Sequence, residues 1–134
     1  MADLFDLASH GSTHELELVL FCEGKNPNVK SKFAGMTPLH MAALNNEHGA
    51  VQLLLAKGAD PNAQDDLGAT PLHYAAKHGA LDVVLLLLGS GANPLIKDAR
   101  KGATALEWAV NEGNEGIAQV LATVAKVQFY PKAA

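Results

Sequence analysis

The sequence predicts an all-α fold, an extended solenoid of paired antiparallel helices joined by short β-hairpin-like connectors, and three observations predict it. A nine-residue stretch recurs at an offset of 33 residues and again, degraded, at 34. Each copy opens with a helix-start signal and is followed within a few residues by a residue that tolerates a left-handed turn. Each is followed in turn by a Val/Leu cluster wider than one amphipathic stripe, as a helix sandwiched between two neighbours requires. Composition agrees: 134 residues, 49% hydrophobic and 18% charged, make one folded domain able to bury a core without disulfides or metals.

The elements follow in order. Residues Gly35 to Ala43 return as Gly68 to Ala76 and, weakened, as Gly102 to Val110. Downstream, Val51 to Asp60 returns as Val84 to Asn93, and Thr37 to Gly58 and Thr70 to Gly91 both span 21 residues, so the register holds through a whole unit. Thr37 and Thr70 suit an N-cap, with Pro38 and Pro71 at the first helical position, where a missing N–H costs nothing. The short first helix runs through an Ala pair that lets neighbours approach closely and stops at Asn46, Gly79 or Gly113. A second helix returns and ends at Gly58 or Gly91, and a polar, Asp/Asn-rich turn leads to the next unit. Ahead of these, Leu4, Ala8 and Gly11, then Leu16, Val19 and Leu20, then Gly24, keep the register of a first unit with one extra residue near Ser12 and Thr13.

The pattern resembles the ankyrin repeat, whose Thr-Pro-Leu-His-x-Ala signature stands intact at Thr37 to Ala42 and at Thr70 to Ala75. The resemblance covers residues 2 to about 124. It implies four repeats, at about 2–34, 35–67, 68–101 and 102–126, with 127–134 as a tail. The outer two depart as capping units do: Ala2-Asp3 replaces Thr-Pro in the first, and Ala105 and Glu107 replace Pro and His in the fourth. With both ends finished in this way, the chain is expected to be a whole, monomeric protein. The resemblance also implies that His40 and His73 bond to backbone and to the preceding Thr, holding adjacent loops together.

Chemistry is sparse. His10 and His14 flank the Gly11 turn, and His73 and His78 diverge on a helix, so neither pair has metal-ligand geometry. His14-Glu15-Leu16-Glu17-Leu18 lacks the second His of a zincin. Gly89-Ser90-Gly91 follows a helix and has Pro94 where a dinucleotide fingerprint needs Gly. Cys22 lies beside Glu23, which would raise a thiol pKa. The expectation is a chain that is not an enzyme and uses no metal or cofactor. The lone Cys22 and the absence of an Asn-x-Ser/Thr sequon point to the cytosol. Neither a signal-peptide pattern nor an apolar run of spanning length is present. A net charge of −4 argues against nucleic acid or an anionic membrane as the partner.

Function by surface remains. Ankyrin-like proteins bind partners through a concave face formed by connector tips and the exposed side of each first helix. Carried over residue by residue, this implies Phe33, Met36, Leu44 and Asn45 in the second unit, Asp66, Leu67, Lys77 and His78 in the third, and Arg100, Lys101, Asn111 and Glu112 in the fourth. Phe33, Met36 and Leu67 are large apolar side chains in polar turns, an anomaly unless something covers them or they fold back on their own connectors. The connectors alternate in charge: Lys25, Lys30 and Lys32, then Asp60, Asp65 and Asp66, then Lys97, Arg100 and Lys101 against Asp98. A partner of complementary order is one consequence, and plain solvated turns are the other. Met41, Tyr74 and Trp108 occupy one position in successive units and are expected to stack in a row, either as packing or as anchors of a site. The tail, with Phe129 and Tyr130, either covers the exposed side of the last unit, which is the expectation, or serves as a loose recognition peptide. The function implied is a protein-binding module with a partner of unknown identity, or a regulatory subunit or inhibitor of an enzyme using the same face.

Overall fold

A computed structural model describes residues 3–22, 24–32 and 34–126, without the side chains of Phe21 and Cys22. The expectations for Phe33 and for the tail at 127–134 therefore fall outside the described residues. Among those described, the chain is all-helical: α1 (Leu4–His10), α2 (Thr13–Cys22), α3 (Pro38–Leu44), α4 (His48–Ala56), α5 (Pro71–Lys77), α6 (Leu81–Gly89), α7 (Ala105–Asn111) and α8 (Glu115–Val124).

The local signals act as their chemistry requires. Thr37, Thr70 and Thr104 are extended N-caps whose side chains accept the N–H of the third helical residue, and Asp3 does the same for α1 with a 2.9 Å bond to Asp6 N–H. The first helices end in one shared turn. Asn46, Gly79 and Gly113 adopt positive φ of 57°, 74° and 76°, and the next residue donates back to the helix: Glu47 to Ala42, Ala80 to Ala75 and Asn114 to Ala109, at 2.8–3.0 Å. This reversal returns the second helix antiparallel to the first.

Helices α1, α3, α5 and α7 pack side by side as one row, and α2, α4 and α6 as a second row behind it, with α8 against α7. The core lies between the rows. Leu39, Leu72, Leu54, Leu87 and Leu121 are fully buried, and the Ala pairs 42–43 and 75–76 are completely covered because each lets the next first helix approach closely. The connectors project from one edge of this double row. Each is closed by a backbone bond, from Ser31 to Met36, Asp65 to Ala69 and Asp98 to Ala103, at 2.8–2.9 Å, and no strand forms among the described residues.

Candidate functional site: the connector and first-helix face

Neighbouring connectors are tied together at several levels. Asp66 donates its N–H to the Ala34 carbonyl at 2.9 Å, and Ala99 donates to the Leu67 carbonyl at 2.8 Å. The Asn28 amide donates to the Gly58 carbonyl while its oxygen accepts from Asp60 N–H, and Asn62 repeats the arrangement one unit later with Gly91 and Asn93. The Lys30 ammonium donates to the Gln64 carbonyl at 3.0 Å.

The two signature histidines do what the resemblance implies. His40 Nδ1 accepts the Thr37 N–H at 3.1 Å, so the proton sits on Nε2, which donates to the Ala69 carbonyl at 2.9 Å in the next connector. His73 repeats this with Thr70 N–H at 3.0 Å and the Ala103 carbonyl at 2.9 Å. Burial lowers both imidazoles below their ordinary 6.5, outweighing the carbonyl bonds that act to raise them.

Two connector acids prove to be structural. Asp65 and Asp98 are only 7% exposed, which corrects the reading of both as solvated connector charges. One Asp98 oxygen accepts Lys101 N–H at 2.8 Å and Ala103 N–H at 3.3 Å, and the other accepts the Trp108 indole N–H at 2.8 Å. Burial acts to raise its pKa, but these bonds hold it below the ordinary carboxylate value. Asp65 likewise accepts Leu67 N–H and Ala69 N–H through one oxygen and the Tyr74 hydroxyl through the other. Burial, then the bond to Asp65, raises the Tyr74 phenol. With Asp65 and Asp98 turned inward, the charges left at the tips are Asp60 and Asp66 in the acidic connector and Lys97, Arg100 and Lys101 in the last.

The aromatic column is ordered differently from a simple stack. Tyr74 and Trp108 meet edge to face at 5.6 Å, and the histidines interleave, His40 against Tyr74 at 5.9 Å and His73 against Trp108 at 4.9 Å. Sequence reasoning missed the Asp partners. Their signal was present, since an acid stands nine or ten residues before the aromatic in the two units that have one, and Ser31 stands in that place before Met41.

Between the third and fourth units the face sinks into an open hollow of about 280 Å³. Tyr74 and Trp108 line it, with Leu67, Ala103, Lys77, Arg100, Lys101, Asn111 and Glu112 around them. Lys77 Nζ lies 5.9 Å from the Trp108 ring centroid. Six of the residues named from sequence thus come together: Leu67, Lys77, Arg100, Lys101, Asn111 and Glu112. The others are placed elsewhere. Met36 and Leu44 are half-buried, while Asp66 and His78 are exposed outside the hollow. Asn45 is exposed, but its amide donates to Ser9 Oγ at 2.7 Å and to the Met41 carbonyl at 3.2 Å, so it also fastens α3 to α1.

No cluster of three or more His, Cys, Asp or Glu among the described residues is arranged to hold a metal ion, and no described helix is long and apolar enough to cross a membrane. A family model of ankyrin repeats in three copies matches residues 4–98. A 65-residue stretch is 42% identical to the mitochondrial disaggregase of Homo sapiens and 40% identical to that of Bos taurus. It covers 48% of this chain and 9% of either relative, so the chain spans only a small part of the proteins it matches. With the family model covering most of the chain and the two signature units built as their sequence implies, the chain belongs to the ankyrin-repeat family.

Proposed function

We propose that this chain is a non-catalytic protein-binding module that engages a partner protein through its concave face and acts as a monomeric scaffold. Ankyrin repeats generally serve as protein-interaction modules, which supplies the class. The observation that supports the face is the hollow between the third and fourth units, where six residues chosen for surface contact converge around two anchored aromatics. Rigid aromatics with their polar atoms already satisfied are the kind of group that concentrates binding energy. The module is residues 1–126, with four repeats.

Affinity capture tests the reading, using the intact chain beside a variant carrying Phe33, Leu67, Arg100 and Lys101 all as Ala, with far-UV circular dichroism establishing that both are folded. A protein retained by the first and lost by the second is the expected result. Equal retention by both overturns the concave-face assignment. The compartment we assign is the cytosol, on the lone Cys22 and the missing sequons. The two relatives are mitochondrial by name, so fractionation against markers of both compartments checks it.

A further inference from the structure

We propose that the hollow takes an acidic segment of a partner protein anchored by one large apolar side chain. The inference rests on the concave-face reading above and adds to it the chemistry of the occupant. Its floor is apolar in effect: the Trp108 indole N–H and the Tyr74 hydroxyl are already given to Asp98 and Asp65, so neither needs a polar group from outside. Leu67, 42% exposed beside them, adds an uncovered apolar wall. An apolar side chain gains by covering these surfaces, and an incoming acceptor finds the Tyr74 and Trp108 protons already committed to Asp65 and Asp98.

The rim selects charge. Lys77, Arg100 and Lys101 are exposed around the opening, whereas Asp98, which also lines the hollow, is only 7% exposed and accepts three N–H groups of the protein, which leaves Glu112 as the one exposed acid among the lining residues. A chain of net charge −4 therefore gathers cations here, against its overall field. An anionic segment is attracted to this rim and repelled by the adjacent connector, where Asp60 and Asp66 are exposed. That contrast places the acids of the segment toward the fourth unit. Size argues for a peptide rather than a free small molecule. A volume of about 280 Å³ lies just below the roughly 300–1,000 Å³ typical of small-molecule pockets and suits a side chain inserted from a longer strand.

The experiment is selection of a random peptide display library on the intact chain, followed by titration of the recovered peptides against the emission of Trp108, the chain's single tryptophan. We expect peptides with acidic residues flanking one large apolar residue, a change in Trp108 emission on binding, and affinity about tenfold or more weaker in R100E/K101E, with L67S also weakened. All three positions are exposed, and circular dichroism verifies the fold of each variant. Recovery of no peptide above background, peptides without acidic enrichment, or indifference to R100E/K101E would overturn the proposal. In the last two cases, loss of binding in D66R/H78E, at exposed positions outside the hollow, keeps the concave-face reading while this inference fails; loss in neither double variant removes both. Stronger quenching by an oligonucleotide than by any recovered peptide also overturns it.

Discussion

His40 and His73 each perform three tasks with one neutral ring: Nδ1 takes the N–H of the capping Thr, Nε2–H reaches the next connector, and the ring edge packs on Tyr74 or Trp108. A second proton on Nδ1 would face the Thr N–H, donor against donor, with the Thr Oγ1 at 2.9 Å as its acceptor. Because burial lowers the folded value below 6.5, the unfolded chain binds more protons than the folded one just below that pH. Stability is therefore full above about pH 6.5 and is lost as pH falls through the lowered folded values. The groups facing these rings do not reverse the sign. Asp65 and Asp98 act to raise the imidazoles, Lys30 acts to lower His40, and desolvation is the largest influence on both. Urea unfolding between neutral and mildly acidic pH should show this decline, and H40Q/H73Q should flatten it. Gln at that helical position can still complete a capping box, so the loss of slope is separable from loss of the cap.

At the scale of the element, the connectors depend on how closely successive copies approach. Gly68 has φ of +77°, and a Cβ there would meet the Ala99 backbone nitrogen at 2.6 Å, because Ala99 donates to the Leu67 carbonyl next door. Gly102, at φ of +64°, occupies the same place in the last unit and meets nothing within 4 Å. Gly102→Ala should cost about 1–2 kcal/mol, from backbone strain alone. Gly68→Ala should cost at least about 1 kcal/mol more, because backbone must shift. Urea midpoints at unchanged slope would measure both, and equal losses would show that the connectors do not meet as closely as described. This level was only partly legible in the sequence. Thr caps, Pro starts and Gly stops act within a few residues of themselves, so pattern reading found them. Asp65 and Asp98 act nine and ten residues away, and Asn28 and Asn62 act across a whole unit, so the acids looked like solvated turn charges and the amides like ordinary turn formers. The hollow was legible in its rim residues, which follow from the repeat register. Its floor was not, because the carboxylates that orient Tyr74 and Trp108 stand nine and ten residues before them, a spacing outside the period of a helix or a turn.

At the scale of the molecule, stacking makes the worth of a residue depend on which unit follows it. Leu54 and Leu87 are fully buried in internal units, so replacing either by Ala should cost about 2–5 kcal/mol, whereas Leu85, 50% exposed on α6, should change stability by less than about 0.5 kcal/mol. The last connector and the fourth unit depart at the positions that earlier units use to hold a successor. Leu95 stands where Asn28 and Asn62 bridge connectors, Glu107 stands where His40 and His73 reach forward, and Val110 stands where Ala43 and Ala76 are covered by the next first helix. Val110 is 61% exposed, while Ala43 and Ala76 are at 0%. A lysine tests this difference. In Val110→Lys the ammonium remains in water, and stability should move by no more than about 0.5 kcal/mol. In Ala76→Lys the same side chain must enter the packed seam between α5 and α7, where it has neither volume nor a counter-charge, and the loss should exceed about 3 kcal/mol. Thermal denaturation of the two variants beside the parent chain decides it: comparable losses would mean that the outer face of α7 is covered in solution, and a loss confined to Ala76→Lys would mean that the stack presents that face to water.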